Sequence, residues 1–255
     1  CRIKQKKRKS SGSTVLADDG FYFGIGAFET IAVEEGIPQL LAWHLERLRD
    51  SLAFFGIDQS VEEKEVLAYL NACPQSEEKQ HGALKITVTA QNKLFGLRKT
   101  LTQKNSIRKD FGLDFPKSDE MRLHRSHTIR RLGLQTTLWK SEMQKKSGLD
   151  EKIFLNQKGQ ISEGCTTNIF FIQDDKLVTP PVSSGMLPGV MRRYVIKEAG
   201  RRGVLLEEKE LYPEDISKCN GCFVTNSLLG MMPAASFGEQ KFDTAKVLHF
   251  IEQIL

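Results

Sequence analysis

The sequence has few of the features that mark a secreted or membrane protein. Its apolar runs are all too short to cross a bilayer, and its N-terminus lacks the apolar stretch of a secretory signal. The five cysteines are an odd number, which argues against a disulfide framework. We therefore expect a cytoplasmic protein with no membrane partner.

Metal-binding and other catalytic patterns are also missing. Cys219 and Cys222 have the spacing of a metal-binding or redox pair, but no second pair exists and no histidine follows until His249. No metal site is therefore predicted, and a turn leading into a strand is the simpler interpretation. No Ser-His-Asp order stands out, and Gly24-Ile25-Gly26 lacks the third glycine of a dinucleotide-binding loop.

The positive charge is concentrated at the N-terminus. The chain carries a net charge of +5 at pH 7. Six basic residues precede the first acid: Arg2, Lys4, Lys6, Lys7, Arg8 and Lys9. Residues 1–20 are therefore predicted to form a flexible basic segment. A tail of this kind is more often solvated than bound to a specific nucleic-acid sequence. We expect no specific nucleic-acid partner.

An acid and a predicted helix start lie close together in the second half of the chain. Glu163 precedes the apolar run at 168–172, which predicts a short buried strand. A loop rich in Pro, Gly and Ser then leads to a helix beginning near Pro188, where the N–H groups of Val190 and Met191 would favour an anion. A capped helix is the simpler explanation of the Pro-Gly feature alone. Pyridoxal phosphate, with a basic ring nitrogen and a phosphate at opposite ends, would satisfy both features.

Six motifs between residues 21 and 233 carry a family resemblance. They are Phe23-Gly-Ile-Gly-Ala-Phe-Glu-Thr-Ile31, His44-Leu-Glu-Arg-Leu48, Asp150-Glu151 with Phe154-Leu-Asn156, Ser162-Glu-Gly164, Ser183-Ser-Gly-Met-Leu-Pro-Gly189 and Thr225-Asn-Ser-Leu228. In this order they resemble the class IV aminotransferases, the pyridoxal-phosphate family of the branched-chain and D-amino acid aminotransferases and aminodeoxychorismate lyase. The resemblance implies an α+β, two-lobed, fold type IV protein like D-amino acid aminotransferase, with the cofactor between the lobes.

The resemblance also implies roles for particular residues. Arg47 would contact the cofactor phosphate with its guanidinium fork, and Glu163 would pair with the pyridine nitrogen and keep it protonated. The phosphate would be held from two sides by the backbone N–H groups of Val190 and Met191 and by Ser227 and Leu228. Without the resemblance, Arg47 would be a solvated residue of an amphipathic helix, Glu163 a surface acid and Ser227 a turn hydroxyl.

The catalytic lysine of the family is the difficult assignment. The family usually places this lysine about twenty residues before the Asp-Glu pair, and here that position is occupied by Arg130. Arginine stays charged and cannot bind the cofactor covalently. Lys140 is the nearest replacement, but it lies within a predicted helix, where a lysine is usually solvated. Gly133 in place of asparagine and Ile25 in place of aspartate are further departures from the family pattern. These departures leave open a protein that binds the cofactor without turning over a substrate.

The chain is predicted to form two lobes. A small N-terminal α/β lobe covers residues 21–115, and a larger C-terminal lobe at 116–255 carries most of the cofactor site. The patterns predict strands at 21–34 and 83–92 and helices at 39–55, 61–72, 189–202 and 242–255. A polar, irregular segment at 93–125 is predicted to include the crossing between the lobes. The resemblance implies a homodimer.

The motifs near the two ends of the chain favour one activity. Phe23–Ile31 and Thr225–Pro233 look most like the aminodeoxychorismate lyases. We therefore predict a pyridoxal-phosphate-dependent enzyme that acts on an amino-acid-like substrate, as a 4-amino-4-deoxychorismate lyase forming p-aminobenzoate and pyruvate. A branched-chain or D-amino acid aminotransferase is the alternative. A non-catalytic family member that binds pyridoxal phosphate or a partner is the second alternative.

Overall fold

A computed structural model describes residues 15–100, 110–115 and 150–255 of the chain. The predicted candidates Arg130 and Lys140 lie outside these ranges, as do the six basic residues of the tail. Helices and sheets are mixed within the described ranges, so the predicted α+β class is confirmed. None of the helices in these ranges is both long and apolar enough to span a membrane.

The N-terminal part of the chain, residues 15–100, is built on a four-stranded antiparallel sheet. Numbered in chain order, its strands are β1 (Ala27–Glu34), β2 (Ile37–Pro38), β3 (His81–Val88) and β4 (Lys93–Lys99), in the order β2-β1-β3-β4. β1 and β3 pair along their whole length, from Ala27 against Val88 to Glu34 against His81. This long pairing makes β1 a rigid support for the side chains that it carries.

Two helices cover one face of this sheet at the places where the sequence predicts them. They are α2 (Leu41–Phe54) and α3 (Glu63–Ala72), and a short helix, α4 (Glu77–Gln80), precedes β3. Leu41, Leu48 and Leu52 recur at helical spacing and pack into the core between α2 and the sheet. His44 lies on the same buried stripe of α2. A polar ring is thereby placed against the strands.

The strand predicted at 21–34 begins later than expected. It starts only at Ala27, because Asp19–Phe23 forms the short helix α1. Asp18 caps this helix by accepting a backbone hydrogen bond, and Gly24 ends it with a φ of 67°. The local cap and the left-handed glycine therefore outweigh the strand propensity of the aromatic residues between them.

The second strand prediction also needs correction. β3 ends at Val88, and a turn closed by a hydrogen bond from the Thr89 N–H to the Asn92 carbonyl, at 2.9 Å, returns the chain to β4. The segment predicted to be irregular from residue 93 therefore begins with a strand. β4 is polar because it lies at the edge of the sheet, where charged side chains can remain in water.

The turn after β3 also holds the residues just before α1. The Leu16 N–H donates to the Asn92 side-chain oxygen at 2.8 Å, and the Thr89 hydroxyl donates to Asp18 at 2.5 Å. The hydrogen bond from Thr89 is the main cause that lowers the pKa of Asp18. The expectation of a flexible segment at 1–20 is therefore confined to residues 1–14, which lie outside the described ranges.

Two five-stranded sheets form the C-terminal part of the chain, residues 110–115 and 150–255. The first consists of β5 (Gly112–Asp114), β6 (Glu151–Leu155), β7 (Ile161–Gly164), β13 (Ser236–Phe237) and β14 (Gln240–Lys241), in the order β14-β13-β5-β6-β7. The second consists of β8 (Asn168–Gln173), β9 (Lys176–Thr179), β10 (Leu206–Glu208), β11 (Gly221–Asn226) and β12 (Gly230–Pro233), in the order β10-β9-β8-β11-β12. β5 pairs with β6 and β13, while the predicted lobe boundary at residue 115 stays a prediction.

Two cores hold the C-terminal part together. One includes Ile153 of β6 and Val224 of β11. The other lies between the second sheet and the helices α5 (Val190–Arg202) and α6 (Thr244–Glu252), which correspond to the predicted helices at 189–202 and 242–255. In this core the rings of Phe170 and Phe223 stack with centroids 5.1 Å apart. The stacked rings anchor α5 over β8 and β11, and thereby fix where the first residues of α5 lie.

Candidate active site

A buried carboxylate on β1 lies at the centre of the candidate site. Glu29 is fully buried. Arg47 of α2 donates two hydrogen bonds to its carboxylate, from Nε to Oε1 at 2.8 Å and from Nη2 to Oε2 at 2.6 Å. Two parallel N–H···O bonds are the geometry that a guanidinium and a carboxylate favour. Arg47 is therefore a fixed residue of the site, and the alternative of a merely solvated arginine is wrong.

His44 binds the same carboxylate from one helical turn earlier. Its ring is 1% exposed, and its Nδ1 lies 2.6 Å from Glu29 Oε2. Because residues three apart lie on one side of a helix, α2 presents His44 and Arg47 together to β1. Two basic side chains of α2 therefore bind the carboxylate of Glu29.

The pKa of Glu29 follows from these contacts. Burial favours the neutral acid and would raise the pKa, but the hydrogen bonds and positive charge from His44 and Arg47 outweigh it and lower the pKa to about 2. Glu29 is therefore ionised at neutral pH. An ionised carboxylate only accepts hydrogen bonds, and this determines where the protons of its partners lie.

The same two basic residues also reach the C-terminal part of the chain. Arg47 Nη1 donates to the Pro188 carbonyl at 3.1 Å, and His44 Nε2 lies 3.2 Å from the Ser227 hydroxyl. Arg47 and Ser227, both predicted to contact a phosphate, therefore meet around Glu29. The candidate site is assembled from both parts of the chain.

The start of α5 forms the next wall of the site. The helix begins at Val190, two residues after Pro188, because Gly189 is still extended and acts as the N-cap. Within the described ranges no side chain caps this end. The first N–H groups of any helix, here including those of Val190 and Met191, have no acceptor within the helix. These are the groups that attract an anion at a helix start.

Asn168 shapes the approach to this helix. Its Nδ2 donates to the Leu187 carbonyl at 2.9 Å. A Cβ atom at Gly189 would lie 2.0 Å from Asn168 Oδ1, so only glycine fits against this side chain. Thr225 pairs with Asn168 in the sheet, and its buried hydroxyl has no hydrogen-bond partner among the described residues. A polar group that could bind a ligand is therefore buried beside Asn168.

Glu163 lies beside the same loop. It is on β7, is 8% exposed, and accepts a hydrogen bond from the Leu187 N–H at 2.9 Å. The alternative of a surface acid is therefore wrong. Leu187 binds Glu163 through its N–H and Asn168 through its carbonyl, so the acid is tied to the chain just before α5.

The turn after β11 places Ser227 and Leu228 differently. The Ser227 hydroxyl faces His44, whereas the Leu228 N–H donates to Asn226 Oδ1 at 2.9 Å. The Asn226 side chain therefore holds the turn that presents Ser227. The predicted contact between Leu228 and a phosphate stays a prediction, because its amide already has an acceptor.

Cys219 and Cys222 belong to a turn and a strand, as the sequence predicts. Cys219 follows the short 3₁₀ helix Pro213–Lys218, and Cys222 lies in β11. Burial raises the pKa of Cys219 to about 11 and the pKa of Cys222 well above its ordinary value. Within the described ranges, no three His, Cys, Asp or Glu residues are grouped so that they could hold a metal ion.

The sequence interpretation gave no role to Glu29, His44 or Asn168. Glu29 and His44 occur within the motifs that were noted, and an acid inside a strand that is mostly apolar indicates a buried partner. The identity of that partner depends on how α2 packs on β1. The sequence pattern alone does not specify this contact.

The chain is similar to proteins of known family. The family profile described as Amino-transferase class IV matches residues 26–237. Aminodeoxychorismate lyase from Bacillus subtilis (strain 168) is 28% identical over 254 residues, covering 92% of this chain and 86% of the relative. D-alanine aminotransferase from Bacillus licheniformis is 26% identical over 244 residues, covering 91% of this chain and 86% of the relative.

A solved structure shares the fold. A hypothetical aminotransferase from Mycobacterium tuberculosis, in a PLP-bound form, has a TM-score of 0.78 at 16% identity and covers 96% of this chain and 93% of its own. Likeness at this identity concerns the fold alone. It confirms the predicted fold type.

Proposed function

Because the chain belongs to the class IV aminotransferases, we propose that it is a pyridoxal-phosphate-dependent lyase that converts 4-amino-4-deoxychorismate to p-aminobenzoate and pyruvate. The observation that carries this proposal is the meeting of Arg47, Ser227 and the uncapped start of α5 around one buried acid. The similarity to the Bacillus subtilis lyase supports the choice of reaction. A cytoplasmic homodimer remains the prediction made from the sequence.

The residues of the site fit the cofactor of this family, which is pyridoxal phosphate. Arg47, the Ser227 hydroxyl and the N–H groups at the start of α5 offer donors to a phosphate. Gly189 lets the start of α5 pack directly against Asn168. The Thr225 hydroxyl, which has no hydrogen-bond partner among the described residues, adds a further polar group. The bound cofactor would supply a conjugated ring that withdraws electrons from the carbon bearing the substrate amine.

Glu163 would act at the ring end of the cofactor. Its carboxylate is buried and held by the Leu187 N–H, so it can accept a hydrogen bond from a protonated ring nitrogen. A buried carboxylate at this place would keep that proton on the nitrogen. Glu163 and Arg47 would thus hold the two ends of one ligand.

The residue that moves protons at the substrate remains the open part of the proposal. Arg130 occupies the family's lysine position and Lys140 is the nearest lysine that could replace it, but both lie outside the described residues. Two other functions therefore stay under consideration. The similarity to D-alanine aminotransferase supports a transaminase, and Arg130 supports a family member that binds the cofactor without turnover.

The experiment that tests the proposed function is cofactor loading followed by borohydride reduction and peptide mass mapping. We expect a reduced adduct on one lysine and pyruvate release from 4-amino-4-deoxychorismate. Formation of a keto acid that depends on α-ketoglutarate would instead identify a transaminase. Binding with no lysine adduct and no product would contradict the lyase and leave the non-catalytic alternative.

Replacing Arg47 with alanine should weaken pyridoxal phosphate binding by about 30-fold, because charge-assisted hydrogen bonds are lost. The affinity for pyridoxal, which lacks the phosphate, should change far less. Both affinities are measured by equilibrium titration. Arg49→Ala is the matched control, since Arg49 lies exposed on the same helix. Equal losses for the two ligands would contradict a phosphate contact, and circular dichroism verifies that Arg47→Ala remains folded.

A further inference from the structure

His44 occupies an unusual position for an ionisable ring. It is buried between Glu29, 2.6 Å from Nδ1, and the Ser227 hydroxyl, 3.2 Å from Nε2. One nitrogen therefore faces the acid of β1, and the other faces a hydroxyl at the proposed phosphate site. The ring links the charge of Glu29 to the orientation of Ser227.

The hydrogen-bonding rules determine what this ring can do. Glu29 only accepts, so Nδ1 of His44 carries a proton. In the neutral ring Nε2 is then a bare acceptor, and the Ser227 O–H must donate to it. In the protonated ring Nε2–H donates to Ser227 instead, and the Ser227 O–H is released to donate to another acceptor.

The two states differ in what they offer to a phosphate. With a neutral ring, Ser227 presents only lone pairs to the ligand, which repel phosphate oxygens. With a protonated ring, Ser227 presents its O–H. The positive charge also matters, because Glu29 and Arg47 neutralise each other and a proton on His44 leaves one net positive charge beside the ligand.

Two charged groups on the neighbouring described elements bind partners other than His44. Arg193 of α5 binds Glu46 of α2 at 2.5 Å, and Glu65 of α3 binds Lys93 at 2.9 Å. In the hydrogen bonds given above, Glu29 is the charged group that contacts His44, and Arg47 binds the same carboxylate. Their charges cancel, so the protonation of His44 decides the net charge of this cluster.

We propose that His44 takes up a proton when a phosphate binds at Arg47 and Ser227, so that phosphate binding is linked to protonation of this ring. The proton comes from solvent and stays on the imidazole while the ligand is bound. His44 is a positioning residue, since it acts through the Ser227 hydroxyl. This inference rests on the proposed function, which places the cofactor phosphate at these residues.

The test is calorimetric titration of the folded protein with inorganic phosphate in buffers of different ionisation enthalpy. The slope of the observed binding enthalpy plotted against the ionisation enthalpy of the buffer gives the number of protons taken up on binding. We expect the wild type to take up close to one proton more than His44→Gln, whose amide can still bond Ser227 but does not titrate. Between the free and bound pKa values of His44, the ratio of wild-type to His44→Gln phosphate affinity should fall by up to about tenfold per pH unit, because the ionisation of phosphate itself affects both proteins alike.

Three further variants separate this role from a structural one. His81→Gln removes a histidine that pairs with Glu34 at the exposed end of β1, and its proton count should equal that of the wild type. Ser227→Ala removes the hydroxyl that His44 orients, so its count should fall. Asn226→Ala loosens the turn that presents Ser227, so it should weaken binding and lower the count in the same direction as Ser227→Ala.

The outcomes distinguish this inference from the proposed function. Equal proton counts in the wild type, His44→Gln and Ser227→Ala would overturn the inference, even if pyridoxal phosphate binds and the lyase reaction occurs. Proton uptake that is lost in His44→Gln would support it, even if no lyase activity is found. Failure of the wild type to bind either inorganic phosphate or pyridoxal phosphate would overturn the proposed function and this inference together.

Discussion

Replacing Glu29 with glutamine will lower the free energy of unfolding at pH 7 by about 3 kcal/mol, because it leaves buried basic groups without their counter-charge. The carboxylate is fully buried and binds both Arg47 and His44. Glutamine keeps the shape and the polar atoms but not the charge. Urea denaturation of the wild type and the variant at pH 7 measures the difference.

The pH dependence gives this prediction a second readout. The folded pKa of Glu29 is about 2, below the ordinary value of 4.5. Its contribution to stability is therefore fully present above pH 4.5 and is lost as pH falls from 4.5 towards 2. The wild type should lose stability in this window, and Glu29→Gln should lose less.

Glu34→Gln is the matched control for Glu29→Gln. Glu34 lies on the same strand, but its pair with His81 is largely exposed, with 58% of the His81 side chain and 33% of the Glu34 side chain accessible. An exposed pair of this kind contributes less than about 1 kcal/mol. Equal effects of the two substitutions would show that burial of the Glu29 pair has no energetic consequence.

Replacing Gly189 with alanine will weaken pyridoxal phosphate binding by about 100-fold. The new Cβ would lie 2.0 Å from Asn168 Oδ1, so Asn168 or the start of α5 must move. Movement of Asn168 would break its hydrogen bond to the Leu187 carbonyl, whereas movement of the helix start would shift its first N–H groups. A rearrangement forced by overpacking also destabilises a fold by about 1–3 kcal/mol.

Gly200→Ala on the same helix is expected to stabilise the fold, in contrast to Gly189→Ala. No atom lies within 4 Å of a Cβ at Gly200, so alanine should stabilise α5 by about 0.5–1 kcal/mol. The double variant Gly189→Ala/Asn168→Ala removes the clash and should be less impaired in stability than Gly189→Ala alone. Wild-type affinity in Gly189→Ala would refute the close approach at this position. Ligand titration and thermal unfolding of all four proteins provide the comparison.

The elements that the sequence predicts well are those with a long repeating pattern. The helices α2, α3, α5 and α6 follow their apolar periodicity, and β8 follows its apolar run. Short elements are harder, because a single residue can decide them. Asp18 and Gly24 turn the aromatic run between them into a helix, although such residues favour strands.

The site divides in the same way between local motifs and distant contacts. Arg47, Glu163 and Ser227 could be proposed as site residues because each lies in a short motif of a known family. The role proposed for His44 depends on its contact with Ser227, which is 183 residues away in the sequence. Such a contact exists only after α2 packs on β1 and the turn after β11 approaches it. Local sequence patterns therefore do not predict the contact between His44 and Ser227.

The two bonds from α2 to Pro188 and Ser227 have a consequence for how such a chain can diverge. A substitution at residue 44 or 47 alters a contact with a residue encoded far downstream, so we expect the two halves of the gene to be selected jointly. A chimaera joined between residues 100 and 150 would inherit the basic side chains from one ancestor and their acceptors from another. Its fitness would therefore depend on compatibility between the halves and not on the quality of either half alone.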